Sequence, residues 1–388
     1  MRILHVTDAS AAGVLASVTA LANAQAAMPE VETVRFCYTP RPESPPHPSI
    51  AQNLGGDVEV VRWERSSRRA LLGLVRGLRR EYRRGDWDLV HLHSSRAGFI
   101  GRILAALTDH HAGIVYSPHG FAFNRKDFNP LLVRAFLAME RLALHGGRRI
   151  VVVSESEAGV AHTQLRGSQS AVLPNSVDLK VFTSPEVDTE SSLQKPIKVV
   201  HLGRIMDQKR PRVFADIAAR AHKSFPGRFD FTWIGDGDRE LLASEDASVK
   251  ITGWLSADDI RGQLSQSDIL LFTSAGEGLP ISLLEAQAMR LATIGENVVG
   301  IRDLVTDGVE GRLFNTVDEA IDALGWLLSP EQRSECGTAA RRRVERDHDQ
   351  ARLGPRSLAA YRAIGALDSP RKFPSNNSSA KHSESRMS

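Results

Sequence analysis

The amino-acid sequence predicts an α/β fold made of two doubly wound, Rossmann-like domains that face each other across a cleft. Short apolar runs typical of buried parallel strands alternate with longer helical patterns, and this alternation indicates βαβ units. A polar stretch containing proline and serine interrupts the alternation once, after which it restarts. With 388 residues and 42% hydrophobic content, the chain can fill two cores of ordinary size.

The strand-like runs lead into turns and helical patterns in both halves of the chain. In the first half they are ILHVT before a helix at 14–28, DLVHLH before a helix at 98–107, GIVYSPH, and RIVVVS before a helix at 155–165. In the second half they are IKVVHLG, FDFTWIG, DILLFTS and LATIGEN. Ligands of such sheets bind outside the carboxyl ends of the strands, so we expect both domains to contribute loops to the cleft.

These patterns give the expected domain boundaries. They are an N-terminal domain at 1–183, a linker at 184–196, a C-terminal domain at 197–345, a helix at 346–366 that packs back on the first domain, and a disordered tail at 367–388.

Cysteine usage and hydropathy restrict the compartment. Cys37 and Cys336 fit neither a disulfide framework nor a metal-binding spacing, which indicates a reducing compartment. No apolar run approaches the roughly 20 residues needed to cross a bilayer, and the N-terminal MRILHVTDAS fits a first core strand better than a secretory signal. We expect a cytoplasmic protein, and peripheral contact with the inner face of the cytoplasmic membrane stays open.

Positive charge is concentrated in one segment. The formal net charge is +3, but the segment Arg62–Arg84 contains nine arginines against two glutamates, so the rest of the chain is acidic. Apolar residues such as Leu71, Leu74 and Leu78 fall on one helical face, with arginines on or near the other. Such a helix either packs on the core with a solvated outer face or lies against anionic lipid or a phosphate-bearing acceptor. Nucleic acid is not expected as a partner, because no aromatic residues are interleaved for base stacking.

The segment GEGLPISLLEA (276–286) is the strongest candidate for a ligand site. It follows the strand-like run DILLFTS, and Pro280 fits the first turn of the next helix. The backbone NH groups of Leu279, Ile281 and Ser282 would then point out of the positive helix end, where a diphosphate is well held.

Two carboxylates flank this helix start. Glu277 lies before it and Glu285 about one and a half turns in, with seven residues between them. This spacing suits a nucleotide sugar, since one carboxylate can meet the sugar hydroxyls while the other accepts from the ribose diol. The alternative is a solvated loop glutamate and an ordinary helix glutamate.

A second candidate loop, GRIMDQK, places Arg204 and Lys209 at the end of the strand KVVHLG. Two cations at a strand end suit a pyrophosphate and would stabilise it as a leaving group while its charge grows. The alternative is a pair of surface cations.

In the first domain, small residues and Gly13 follow the opening strand, where a backbone can approach a substrate closely. The G-x-G-x-x-G fingerprint of dinucleotide-binding proteins is absent, which disfavours an NAD-dependent oxidoreductase. His119, beside Gly120 at a strand end, can hydrogen-bond a sugar hydroxyl or simply cap the turn. His91 and His93 lie on one strand face, but no carboxylate or cysteine completes a metal site, so we expect packing roles for them.

The motifs GRxxxQK, GDG, E-x₇-E and DGVEGRLF, preceded by SPHGF and LPNSVD, together resemble the retaining glycosyltransferases of family 4, which have the two-domain GT-B fold. The resemblance implies transfer of a sugar, with retention, from a nucleoside diphosphate sugar, for which UDP is the expected nucleotide. The combination of HSSRAGFIGR with SPHGFAF looks like the branch that builds capsules, exopolysaccharides and lipid-linked oligosaccharides. There the acceptor is commonly a polyprenyl diphosphate sugar, which would give the basic helix a purpose.

The resemblance also implies roles for individual residues. Arg204 and Lys209 would bind the donor diphosphate, Glu285 the ribose and Glu277 the donor sugar, while His119 would lie beside the reacting carbon. The predicted donor-binding set is completed by Gly278, Leu279 and Pro280, and Gly13 is the predicted acceptor-side loop residue.

No carboxylate is evident on the reacting face of the first domain, so we favour departure and attack on the same face, with the leaving phosphate taking the proton of the acceptor. Neither a metal nor another cofactor is expected, because Arg204, Lys209 and the helix end supply positive field. A nucleotide-sugar 2-epimerase, or a non-catalytic binding protein of the same fold, remains an alternative.

Overall fold

The computed structural model describes residues 1–64, 66–108, 110, 112–125, 128–183, 195–243 and 248–368. The predicted linker at 184–196 and the predicted tail at 367–388 lie outside the described residues, apart from 195–196 and 367–368.

The described residues of the N-terminal half form a seven-stranded parallel sheet with the strand order β3-β2-β1-β4-β5-β6-β7. The strands are β1 (Arg2–Thr7), β2 (Thr33–Tyr38), β3 (Val58–Arg62), β4 (Leu89–His93), β5 (Gly113–Ser117), β6 (Arg149–Val152) and β7 (Gln169–Val172). Strand β1 pairs with both β2 and β4, so the winding direction reverses beside the carboxyl ends of β1 and β4. Open α/β sheets bind ligands at such a reversal.

Six α-helices from the described part of the N-terminal half surround this sheet. They are α1 (Ala12–Ala26), α2 (His47–Asn53), α3 (Ala70–Arg84), α4 (Ser95–Ala106), α5 (Pro130–Ala143) and α6 (Glu155–Gln164).

In the C-terminal half, the residues that the structure describes form a six-stranded parallel sheet with the order β10-β9-β8-β11-β12-β13. The strands are β8 (Ile197–Leu202), β9 (Phe229–Ile234), β10 (Val249–Ile251), β11 (Ile269–Phe272), β12 (Ala292–Glu296) and β13 (Gly311–Phe314). The helices are α7 (Pro211–Ser224), α8 (Ala257–Leu264), α9 (Ile281–Ala288), α10 (Val317–Trp326), α11 (Pro330–Asp347) and α12 (Leu353–Ala363). Two parallel-sheet α/β domains confirm the predicted fold class. Among the described helices, none has the length and apolar character that crossing a bilayer requires.

Two chain segments connect the domains side by side. After β7, the backbone of Val177 donates to His348 O at 3.0 Å and accepts from Gln350 N at 3.1 Å, just after α11 ends. The last helix, α12, then packs on the N-terminal domain, where Tyr361 and Leu358 join a core cluster with Ile3 and Leu21. The chain therefore passes between the domains twice at the same place.

One buried ion pair holds three elements of the N-terminal domain together. The guanidinium of Arg102 on α4 bonds Glu140 on α5, and its carbon lies 4.1 Å from the centre of the Tyr116 ring on β5. Tyr116 donates its hydroxyl proton to the second Glu140 oxygen at 2.8 Å. Gly98 makes room for this arrangement, since a Cβ there would lie 2.1 Å from the Tyr116 ring.

Replacing Glu140 by Ala should lower the free energy of unfolding by about 3–5 kcal/mol, because a buried guanidinium loses its counter-charge. The matched control is Asp318→Ala, which breaks an exposed pair with Arg220 and should cost less than about 1 kcal/mol. Urea denaturation of both variants measures the difference. Equal losses would show that the Arg102–Glu140 pair contributes no more than a surface contact.

Candidate functional site between the two domains

A cavity of about 150 Å³ lies between loops at the carboxyl ends of both sheets. From the N-terminal domain it is lined by His119, Gly120, Phe121, Asn124, Arg125 and Glu157, and from the C-terminal domain by Gln208, Val299 and the segment 275–278. The structure thus brings together three of the predicted residues, His119, Glu277 and Gly278. The other predicted residues lie outside this lining.

A backbone contact between two glycines closes the cavity on one side. His119 and Gly120 both adopt left-handed conformations, with φ of +54° and +102°. A Cβ on Gly120 would lie 3.4 Å from Gly278 N, and one on Gly278 would lie 3.0 Å from Gly120 N. Left-handed backbone at a non-glycine residue is uncommon and concentrates at functional sites.

Glu157 at the start of α6 fixes this turn. Its carboxylate accepts from Gly120 N at 2.8 Å and from Val153 N at 2.9 Å. Burial raises the pKa of Glu157 to about 7, although both backbone donors favour the charged form.

The prediction that the reacting face of the first domain carries no carboxylate is therefore wrong. A usable signal was present, because Ser154 followed three residues later by Glu157 is a capping-box pattern. Ser154 does cap α6, accepting from Glu157 N at 3.2 Å. Sequence alone did not show that the glutamate reaches a turn 37 residues earlier.

Lys209 and Glu277, predicted to contact different parts of a ligand, form an ion pair with 2.6 Å between Nζ and Oε1. Both side chains are largely buried, and the ammonium lies 5.0 Å from the centre of the Phe272 ring. The pair places one negative and one positive group together at the cavity edge. Arg204, by contrast, is exposed and makes no hydrogen bond or ion pair with the described residues.

The helix predicted after the glycine turn is α9, and Pro280 is its N-cap, one residue before the predicted first turn. The first NH groups with a helical acceptor are those of Leu283 and Leu284, which donate to Pro280 O at 3.2 and 3.3 Å. The NH groups of Leu279, Ile281 and Ser282 have no acceptor among the described residues. An anion at this helix end would satisfy them.

Glu285 is half-buried on α9, and its carboxylate has no hydrogen-bond or ion-pair partner among the described residues. Burial raises its pKa to about 7. A half-buried carboxylate without a partner is costly to the fold, and an arriving hydroxyl donor would reduce that cost.

Asn175, from the motif LPNSVD, links three parts of the interface. Its Oδ1 accepts from Ser17 Oγ on α1 at 2.7 Å, and its Nδ2 donates to Leu279 O at 2.7 Å. Its own carbonyl accepts from His348 Nδ1 at 3.0 Å. The backbone before α9 is thereby held against the first domain.

Gly13 lies in the exposed first turn of α1, and a Cβ there would meet nothing within 4 Å. One cavity of the N-terminal domain, with a volume of about 240 Å³, is lined by Asp8, Arg41, Leu71 and Arg96 among others, and Gly13 is not part of its lining. The buried Asp8 pairs with Arg41 at 2.9 Å and with Arg96 at 3.4 Å. Sequence reasoning missed these three charges because they come from distant parts of the chain: Asp8 follows β1, Arg41 follows β2 and Arg96 lies in the first turn of α4.

His91 and His93 are joined by His5 in a buried trio whose ring nitrogens could geometrically surround a metal ion. Every ring nitrogen of the trio already has a hydrogen-bond partner at 2.8–3.0 Å. A cation would have to displace these bonds.

Comparison with known proteins gives a consistent result for both domains. The family model "Glycosyltransferase Family 4" matches residues 11–181, and "Glycosyl transferases group 1" matches residues 196–330. A UDP-Gal:alpha-D-GlcNAc-diphosphoundecaprenol alpha-1,3-galactosyltransferase from Escherichia coli is 30% identical over 281 residues, covering 66% of this chain and 69% of that protein. The amylovoran biosynthesis glycosyltransferase AmsK of Erwinia amylovora is 25% identical, covering 68% and 67%.

Among solved structures, a sucrose-phosphate synthase from Thermosynechococcus elongatus superposes with a TM-score of 0.78 over 94% of this chain and 99% of that one. Its sequence identity is 17%, so this likeness concerns the fold.

If Glu285 accepts from the ribose diol of a nucleotide, as the family resemblance implies, the ionisation of its carboxylate predicts a pH dependence of nucleotide binding. An ionised carboxylate accepts hydrogen bonds from a ribose diol, whereas the protonated form loses part of that capacity. With a pKa of about 7, affinity for UDP should be full above pH 8 and fall as the pH drops through 7 to 5.5. Calorimetric titration of the wild type and Glu285→Gln measures this, because the ionisation of the nucleotide is common to both. Parallel pH curves for the two proteins would contradict a role for Glu285 in binding.

Proposed function

The chain belongs to glycosyltransferase family 4, and we propose that it moves a sugar from a nucleoside diphosphate sugar to a lipid-linked saccharide during synthesis of a surface polysaccharide. The observation that carries this proposal is a sequence of groups that starts at the cavity with the Lys209–Glu277 ion pair. The helix start with unsatisfied NH groups and the unpaired carboxylate of Glu285 follow it along the chain. The Escherichia coli relative, whose name specifies a UDP-galactose donor and a diphosphoundecaprenol-linked acceptor, supports this choice of substrates.

The donor is proposed to lie along the C-terminal side of the cavity. Its diphosphate meets the NH groups at the start of α9, and its ribose diol donates to Glu285. Its sugar hydroxyls donate to Glu277, while Lys209, held beside that carboxylate, contacts the diphosphate. Arg204 is the further cation, and its exposed side chain is free to move towards the phosphates.

Chemistry is proposed to proceed with retention on one face of the sugar. The bond between the anomeric carbon and the diphosphate oxygen breaks, the acceptor oxygen bonds to that carbon, and its proton passes to the leaving diphosphate. Glu157 is not used as a nucleophile, because both of its oxygens accept backbone hydrogen bonds. The cations and the helix end stabilise the leaving group, so no divalent metal is required.

The acceptor is proposed to bind the N-terminal domain at the cavity beside Arg41 and Arg96. Guanidinium groups recognise phosphate oxygens well, which suits an acceptor that carries a diphosphate. The first turn of α3 borders this cavity. A lipid chain leaving it would follow that helix to the surface.

We also propose a peripheral membrane contact at α3, which this placement of the acceptor supports. Leu74, Leu78 and Tyr82 of α3 are buried, but Leu71, on the same face at the first turn, is 51% exposed, and Leu72 is 54% exposed. The helix also presents exposed arginines, among them Arg79 and Arg83. Exposed leucines flanked by arginines suit the interface of an anionic bilayer.

The central test is an assay of sugar transfer from a panel of nucleoside diphosphate sugars, including UDP-galactose, to lipid extracts. Lys209→Ala and Glu285→Ala should each lower turnover by about 100-fold or more, because each removes a charged contact to the donor. Lys198→Ala, at an exposed position on β8, is the matched control and should leave turnover unchanged.

Mass spectrometry of released nucleoside diphosphate and lipid-bound sugar gives the readout. Near-wild-type activity in either variant would count against the proposed site. Conversion of the donor without any acceptor would indicate a 2-epimerase instead.

Membrane contact is tested by sedimentation with vesicles. Binding to vesicles containing phosphatidylglycerol should weaken at least tenfold in a Leu71→Ser/Leu72→Ser variant, since each leucine buries apolar surface in the bilayer. Val309→Ser, an exposed apolar residue of the C-terminal domain, is the control. Equal binding to uncharged phosphatidylcholine vesicles, or no effect of the double substitution, would exclude this contact.

A further inference from the structure

A chain of hydrogen bonds between buried side chains runs from the cavity to the last helix. His119 Nε2 lies 3.0 Å from His93 Nδ1, and His93 Nε2 lies 2.9 Å from His5 Nδ1. His5 Nε2 in turn lies 2.8 Å from Gln25 Oε1 on α1. The direction of each proton in this chain can be worked out from its far end.

Ser357 on α12 fixes the orientation of Gln25. Its single hydroxyl proton goes to Gly354 O at 2.7 Å, because a carbonyl can only accept. The Ser357 hydroxyl oxygen must therefore accept from Gln25, which lies 2.9 Å away. The atom of Gln25 that faces Ser357 is thus the amide nitrogen Nε2. The Gln25 oxygen then faces His5, so His5 carries its proton on Nε2.

The proton positions of the three histidines follow from that of His5, one ring after another towards the cavity. Burial lowers the pKa of His5 and of His119 to about 4, and lowers that of His93 as well, so all three rings are neutral at pH 7. A neutral imidazole has one NH and one lone pair. His5 thus accepts at Nδ1 from His93, and His93 accepts at Nδ1 from His119. His119 keeps a free lone pair on Nδ1, which has no partner among the described residues.

A second branch through His91 gives an independent check. The hydroxyl of Tyr361 accepts from Gln25 Nε2 at 2.9 Å and donates to His91 Nδ1 at 2.8 Å. His91 then donates from Nε2 to Ser117 Oγ at 2.8 Å, and Ser117 donates to Val151 O at 2.6 Å. Both branches end on carbonyls, and every proton has an acceptor.

We infer that His93, His5 and Gln25 are positioning residues that hold the ring plane of His119 and fix its proton on Nε2, so that Nδ1 faces the cavity as a hydrogen-bond acceptor. This inference deepens the proposed function, because the group that Nδ1 accepts from would be a hydroxyl of the donor sugar. This chain of hydrogen bonds, called the relay below, also keeps the neutral ring of His119 beside the anomeric carbon of the proposed donor sugar. A misplaced His119 ring would cost activity, since errors of about 1 Å in a site can lower rates by about 100-fold.

The protonation pattern can be observed directly in the full-length protein labelled with ¹⁵N-histidine. At pH 7, NMR should show the Nε2–H tautomer for His5, His91, His93 and His119. It should also show scalar coupling between ring nitrogens across the His119–His93 and His93–His5 hydrogen bonds. An Nδ1–H form of His119, or the absence of both couplings, would overturn the inference. This readout does not depend on sugar transfer, so it separates failure of the relay from failure of the proposed function.

Two nearly isosteric substitutions test the functional consequence. Asn at position 93 can still accept from His119 Nε2–H through an oxygen near the place of Nδ1, whereas Leu cannot. For His93→Leu, kcat should fall 10- to 100-fold while affinity for UDP, which lacks the sugar, changes less than twofold. His93→Asn should recover most of that loss, and His5→Leu should be milder than His93→Leu. Equal losses of kcat in His93→Asn and His93→Leu, or a parallel fall in UDP affinity, would assign these histidines to stability alone. If neither variant folds, the histidine NMR spectrum of the wild type decides.

Discussion

The contact between Gly120 and Gly278 is the constraint on which the arrangement of the site depends. Because neither residue carries a Cβ, the loops after β5 and β11 approach within backbone contact. A side chain at either position would separate His119 from Glu277, which come from different domains. The Glu157 carboxylate on one side and the Asn175 amide on the other hold the two loops in this relation.

Charges at the site are distributed so that the donor side is prepared for an anion. Lys209 forms an ion pair with Glu277. The NH groups at the start of α9 and the carboxylate of Glu285 have no hydrogen-bond partner among the described residues. The first domain contributes a neutral histidine, a carboxylate whose oxygens are engaged, and the cation Arg125 to the lining of the cavity. The groups without partners therefore lie on the C-terminal side, where the nucleotide sugar is proposed to bind.

The fold was predictable from sequence because buried parallel strands leave continuous apolar runs, and these runs match most of the strands in the structure. Part of the cavity lining was also predictable, because Glu277 and Gly278 lie in one segment whose local geometry follows from a strand, a turn and a helix start. The contacts between residues far apart in the sequence could not be predicted. The ion pair of Lys209 with Glu277 spans 68 residues, and the bond from Gly120 to Glu157 spans 37.

Local sequence patterns do not predict such contacts, because tertiary packing decides which charged side chains lie close enough to pair. Glu157 looks like an ordinary first-turn glutamate until α6 is placed beside the turn at His119. Likewise, periodicity places Leu71 on the apolar face of α3, but the helix begins beside a cavity that leaves this leucine exposed.

The paired crossings at Val177 and His348 have a mechanical consequence. Two chain segments bonded side by side resist sliding and twisting of one domain against the other. They allow the domains to bend about the line that joins the two segments. Closure of the domains over a substrate would then be a rotation about one hinge axis. In that rotation α12 moves with the N-terminal domain and α11 moves with the C-terminal domain.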